Sequence, residues 1–584
     1  MKKFAQQPAF LPTTKKEMDH LGWARLDVIL VSGDTYIDSP YVGVAVVGRV
    51  LLAAGYRVGI IAQPDIDSDR DIVRLGEPAL FWGITAGSFD SMVANYTANG
   101  KWRKSDDMTP GGQNNRRPNR AVIAYSNLIR CNFKNTKPIV LGGIEASLRR
   151  ISHYDAWSKK VRRSILFDAK ADFLVYGMAE QAIVALADGL AKGKSIASAR
   201  AIRGLCYISR EIPEPDPAFG APDIALADHN VVAGNSDAYI EIFKDFYKNA
   251  DPYDARRLYQ RQDTRFLVQN PPPLPLSGTK LDAVYELPFA RDVHPFYKKD
   301  GPVKALDTIQ FGLTTHRGCF GECRFCAIFV HQGRQVTSRS IESIVREADR
   351  FRHHPKFKGI ISDVGGPTAN MYGMDCSRKS ATGTCAGKSC IFPKSCKHMT
   401  VNHGEQIRLL TALRKLEGVR KVFVSSGIRY DLILNDQKNG VAYLEEILRH
   451  HVSGQLKIAP EHIQDNVLKL MGKPDAATLE AFLDLFAKVK RKTGVNAFLT
   501  YYLMAAHPGC TRADMEKLRA FAKAKLKLLP EQVQIFTPTP STWSTTIYFT
   551  EKDPSTGRKV FVEKDPRRKQ AQKDVLKKRK RPSK

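Results

Sequence analysis

Cys319, Cys323 and Cys326 stand at C-x3-C-x2-C spacing in one short stretch, Cys319-Phe320-Gly321-Glu322-Cys323-Arg324-Phe325-Cys326. Three thiolates so arranged can hold three irons of a [4Fe–4S] cube and leave the fourth iron open. A structural metal site closes its last position with a protein ligand, whereas an open position is where a substrate or cofactor binds. A second group, Cys376, Cys385, Cys390 and Cys396, follows at C-x8-C-x4-C-x5-C in a stretch rich in Gly, Ser and Lys. Four thiols there suit either a tetrahedral zinc or a second iron–sulfur cluster, with His398 as a substitute for one ligand. Cys131, Cys206 and Cys510 stand apart and read as packing residues.

The elements that must position these residues show in the periodicity. The run Thr308–Thr314, immediately before the cysteines, reads as a buried strand. Further strands are expected at 359–364, 421–425, 455–459, 497–503 and 532–536. Helical patterns separate them at 341–351, 406–416, 442–448, 477–491 and 512–528. Six β/α units imply an open (β/α)6 partial barrel whose strand ends share one mouth. Cys319–Cys326, Gly365-Gly366, Ser426, Glu461 and Pro508 would then meet there.

The N-terminal part has the same alternation. Strands are expected at 26–31, 56–61, 80–85, 138–141 and 173–176, and Val42–Ala54 reads as a helix closed by Gly55. This predicts a doubly wound parallel sheet over residues 1–205. Gly100–Arg120 reads as a polar loop, either a mobile lid or an insertion. Residues 206–300 read as a connector, Pro-rich and helical over 237–267, with an apolar segment at 285–295 that packs across a domain face. The core spans 301–550 with the cysteine insertion at 370–400. Residues 551–584 read as a basic, disordered tail.

C-x3-C-x2-C after the first strand of such an array resembles the radical S-adenosylmethionine (SAM) superfamily. The resemblance implies a [4Fe–4S] cluster and SAM as cofactors, with Phe325 near the adenine and Gly365-Gly366 meeting the SAM amino group. Pro367 departs from the acid common in that superfamily. Ser426 and Arg429 are placed to reach the SAM carboxylate or the substrate. Lys457–His462 resembles the methylthiotransferase branch. The N-terminal sheet resembles a cobalamin-binding domain, but the loop Asp34–Gly43 has no histidine to serve as lower ligand, so cobalamin is not expected. Val284–Phe289 and Arg317–Gly321 resemble the YgiQ family of bacterial radical SAM proteins nearly end to end. The expected function is reductive SAM cleavage that starts radical chemistry on an unidentified substrate. The alternatives are a methylthiotransferase-like RNA modification enzyme and a non-catalytic, metal-stabilised nucleic-acid-binding protein. A sensor with a closed cluster is a further possibility.

Composition bounds the setting. The chain of 584 residues has room for two to four domains. No apolar run is long enough to span a membrane, and the basic start lacks an apolar signal core. Seven of the ten cysteines lie between Cys319 and Cys396, a pattern of metal ligation in a reducing compartment, so the cytoplasm is expected. A reducing partner such as flavodoxin or ferredoxin is implied by the resemblance. The formal charge of +30, with Lys577–Arg581 densest, makes RNA or the ribosome a candidate partner.

Overall fold

The computed structural model describes residues 8–193, 196–219, 222–379, 383, 385, 388–527 and 533–577. The chain divides into two compact units. One runs from Met1 to Gln310 with Val330–Gly333, and the other comprises Phe311–Phe329 and Arg334–Lys584. Among the described residues, no helix is long and apolar enough to cross a membrane.

The first unit is built on a nine-stranded sheet. Its parallel part is ordered Val58–Ala62, Val28–Ser32, Phe81–Thr85, Ile139–Leu141, Phe173–Val175. Almost every residue of these strands is buried, as expected where helices cover both faces of a parallel sheet. The sheet does not stop at residue 205. Leu205–Ser209 adds antiparallel to Phe173–Val175, followed by Arg265–Gln269, Leu258–Gln262 and Ile224–Leu226. The expected helix over 237–267 is confined to Ser236–Lys248, and a hairpin follows it. Glutamines hid this hairpin: Gln260, Gln262 and Gln269 all point inward and are fully buried. They are satisfied by hydrogen bonds rather than by packing, among them Ser152 N to Gln260 Oε1 at 3.3 Å and Ser164 N to Gln262 Oε1 at 2.9 Å. The apolar segment at 285–295 does pack: Ala290 N donates to Asp38 at 2.7 Å and His294 N to the Tyr36 carbonyl at 2.9 Å.

Doubly wound sheets bind ligands where the strand order reverses, here between Val28–Ser32 and Phe81–Thr85. In this chain that crevice is filled by its own backbone and by an ion pair. A Cβ on Gly33 would lie 2.3 Å from the Ala86 carbonyl oxygen. Asp34 accepts from Ser88 N at 2.6 Å and from Arg117 at 2.5 Å, and both members of the ion pair are buried. Arg117 belongs to the stretch read as a polar loop, either a mobile lid or an insertion. It is folded into the unit, as an insertion rather than a mobile lid, with its guanidinium also 3.2 Å from Asp106.

The second unit carries the expected barrel. Gly312–Thr314 pairs in parallel with Asp363–Gly365, and Ile360–Ile361 pairs with Lys421–Val422. A bridge joins Ile428 to Ile458, and Gln455–Glu461, Phe498–Ala505 and Val533–Ile535 complete the parallel series. Intervening helices have clear end signals. Ala476–Thr493 is capped by Asp475, which accepts from Thr478 N at 2.9 Å, and it ends on Gly494 at φ 68°. The first strand is shorter than expected, because Leu306–Ile309 is a turn of helix.

Residues 551–577 are not a free tail. Pro566–Asp574 is a helix capped by Asp565, and it packs within the second unit. Gln572 accepts from Ala506 N at 2.9 Å and donates to the Cys510 carbonyl at 3.1 Å. Lys569 donates to the Tyr548 hydroxyl at 2.8 Å. High charge masked a helix whose buried face is made of polar side chains. The basic run Lys578–Arg581 lies outside the described residues. Truncation after Asp565 would leave the Ala506 and Cys510 backbone groups buried without partners. Urea unfolding should show a loss of about 2–4 kcal/mol relative to the full chain. An unchanged midpoint would show that this helix contributes nothing to stability.

Candidate functional site

At the end of Gly312–Thr314 the chain turns sharply. Gly318 has φ 81°, and a Cβ there would lie 1.6 Å from the Gln335 carbonyl oxygen. The loop that follows is held at its base, where His316 and Arg317 pair antiparallel with Ser338 and Thr337. Within it, Glu322 and Arg334 form a buried ion pair at 3.4 Å. Cys319 Sγ accepts from Gly321 N at 3.3 Å and lies 3.4 Å from Thr368 Oγ1, while Cys326 N donates to the Cys323 carbonyl at 2.9 Å. Gly318→Ala forces both a left-handed alanine and a backbone collision. It should cost about 3 kcal/mol or more and abolish iron loading, read by unfolding and by iron per chain.

All three cysteines line one cavity of about 650 Å³. Burial, with the neighbouring Cys323, pushes the Cys319 thiol up and the Cys326 thiol up to about 12. Burial thus favours the protonated form of these two thiols. Arg429 stands beside them. Its Nη1 is 3.7 Å from Cys323 Sγ, and it is held by a two-point pair with Asp431 at 2.9 and 2.6 Å. Among the described residues, no three of His, Cys, Asp or Glu gather round one point as ligands of a single ion would. Thiolates of a cube each bind a different iron and need only bound a shared volume, which these three do. The cavity therefore fits the cluster chemically: soft donors, an apolar flank from Ile328, Phe329 and Ile428, and a cation at the sulfurs.

The cavity wall includes Ser426 and Arg429. The Ser426 hydroxyl donates to Asp363, and its backbone N–H does so at 3.1 Å. Phe325 packs edge-on against His507, 6.1 Å between ring centres. Gly365 and Gly366 make close approaches, but to the chain itself. A Cβ on Gly366 would fall 2.6 Å from the His316 ring, and one on Gly365 would fall 3.2 Å from Ala369 Cα. The next residues, Pro367 and Thr368, are the ones that line the cavity. Sequence reasoning missed Lys457, Lys473 and Tyr502 as wall residues. Lys457 and Ala459 share one face of their strand, and a lysine in a buried parallel strand was the available signal. Lys473 had none, because it follows the helix-ending Gly472 in a loop. Glu461 ends its strand at φ 67°, and burial pushes its carboxyl up to about 7 against the pull of Lys473. In the second cysteine group, Cys376 is buried, Cys390 and Cys396 are half-buried and Cys385 is exposed.

Comparison with known proteins bears on both units. Residues 10–312 match a family model described as radical SAM N-terminal, and residues 313–522 match the radical SAM superfamily. A UPF0313 protein of Fusobacterium nucleatum is 54% identical over 568 residues, covering 97% of this chain and 98% of the relative. A UPF0313 protein of Thermotoga neapolitana is 48% identical over 555 residues, covering 95% and 96%. Among solved structures, the chain is similar to the radical S-adenosylmethionine methyltransferase TsrM from Kitasatospora setae, with cobalamin and a [4Fe–4S] cluster bound. That similarity has a TM-score of 0.46 and 14% identity, over 88% of this chain and 76% of that one. With both halves matched and near-complete coverage of its relatives, the chain belongs to the UPF0313 family of radical SAM enzymes.

Proposed function

We propose that Cys319, Cys323 and Cys326 hold a [4Fe–4S] cluster with an open iron, and that the enzyme cleaves SAM reductively to start radical chemistry on a substrate in the same cavity. The observation that carries this is the placement of three cysteines on the wall of one cavity, with Arg429 at the Cys323 sulfur. When bound, the cluster and SAM together supply a one-electron cleavage of a carbon–sulfur bond, giving methionine and a 5′-deoxyadenosyl radical. The chain's own residues do the rest. Arg429, locked by Asp431, stabilises negative charge on the sulfurs. Phe329 and Ile428, both buried, limit water at the reacting centre. Lys457 and Lys473 offer two ammonium groups suited to carboxylates of the ligands. An external one-electron donor of the flavodoxin or ferredoxin class belongs to this reading, because each reductive cleavage consumes one electron.

This reading does not call on cobalamin. The crevice of the first unit is occupied by Gly33, Asp34 and Arg117, and the adjoining loop has no histidine. The test is anaerobic reconstitution with iron and sulfide, followed by dithionite and SAM. 5′-Deoxyadenosine should accumulate. A loaded cluster that yields no cleavage product with any reductant would sink the proposal.

A further inference from the structure

The cysteine insertion is tied to the first cysteine loop by packing. Cys376, Cys390 and Cys396 share one core with Phe320, Met371, Met374 and Met399, and Cys319 packs against that same core. The insertion is pinned at both ends, because Asp375–Cys376 pairs antiparallel with Met399–Thr400 and sets Cys376 opposite Met399. Between them, Cys396 N donates to the Cys390 carbonyl at 2.8 Å and Met399 N to the Cys396 carbonyl at 3.0 Å. Three cysteines separated by up to 20 residues are thus brought to one sulfur-rich interior.

That interior holds a buried cation. Lys379 donates to the Arg334 carbonyl at 3.0 Å and lies 4.6 Å from the centre of the Phe320 ring. It is also hydrogen-bonded to Cys390. A buried ammonium hydrogen-bonded to one of these thiols suits the thiolate, the form that binds metal. The donors are all sulfur. His398 is engaged elsewhere, with its Nε2 at 3.2 Å from Arg378 Nη1. Soft donors in apolar surroundings suit zinc or iron–sulfur clusters. Only Cys385 and Cys390 have the short spacing of a zinc knuckle; the flanking gaps of eight and five residues do not.

We propose that Cys376, Cys390 and Cys396, with Cys385 as fourth ligand, hold a second iron–sulfur cluster next to the Phe320 core. This site is separate from the three thiols of the cavity and does not depend on SAM cleavage. The test is metal and sulfide analysis, with electron paramagnetic resonance after dithionite, on the full-length protein reconstituted anaerobically. Wild type should hold about eight irons per chain. Simultaneous Cys319→Ala, Cys323→Ala and Cys326→Ala should leave about four irons and a cluster signal. Cys376→Ala with Cys390→Ala should also leave about four irons, those of the first loop. The inference is overturned if the triple variant retains zinc instead of iron, or retains no metal. It is equally overturned if wild type holds only about four irons, a measurement that needs no variant to fold. Absence of 5′-deoxyadenosine with these metal counts intact would count against the SAM reading and leave the second cluster standing.

Discussion

Cys326→Ala should reduce 5′-deoxyadenosine formation by about 10³-fold or more, equivalent to roughly 4 kcal/mol of activation free energy. The side chain lost is small and the loop keeps its other anchors, the Glu322–Arg334 pair and the antiparallel base. The fold should therefore survive while iron at this loop does not. Cys319, Cys323 and Cys326 together would hold the proposed cluster, and two thiols alone would not retain it. Product should be quantified by chromatography and iron measured on the same sample. Cys131→Ala, an exposed cysteine in the other unit, is the control and should turn over as wild type does. If Cys326→Ala retains more than a tenth of the activity, the assignment of the three thiols is wrong.

The second large effect concerns stability. Arg429 and Asp431 are both buried, and their two hydrogen bonds satisfy each other. Arg429→Met would strand the Asp431 carboxylate in a water-poor wall. Breaking one side of such a pair costs about 3–5 kcal/mol, much more than the pair contributes relative to an apolar substitute. Adding Asp431→Leu should recover much of that loss. A double-mutant cycle by urea unfolding of the cluster-free protein should give a coupling of at least about 1.5 kcal/mol. The double variant should still cleave SAM poorly, because the cation at Cys323 Sγ is gone. Additive effects of the two substitutions would mean that the pair is not a structural unit, and the role of Arg429 would then rest on its contact with sulfur alone.

Local chemistry made much of this molecule legible. The C-x3-C-x2-C loop, the strand before it and the repeated β/α spacing are written in short windows of sequence, where hydrophobic period and turn residues decide the outcome. The same windows placed Ser426 and Arg429 at the end of a strand, and both line the cavity. Segments whose buried faces are polar were illegible. Gln260, Gln262 and Gln269 satisfy themselves inside a sheet, and Gln572 and Lys569 anchor a helix that composition marks as disordered. Hydrophobic period carries no signal where burial is secured by hydrogen bonds instead.

By itself the sequence determined the C-x3-C-x2-C spacing, the β/α alternation of both halves and the lack of a histidine in the first loop, all properties of residue type and spacing. Only the tertiary structure decided what the glycines, lysines and later cysteines do. Gly366 makes room for His316, Lys457 and Lys473 face the cavity, Arg117 fills the crevice of the first sheet, and Phe320 joins the second cysteine group to the first. These depend on which surfaces meet across tens or hundreds of residues. Close packing, not local propensity, settles such encounters.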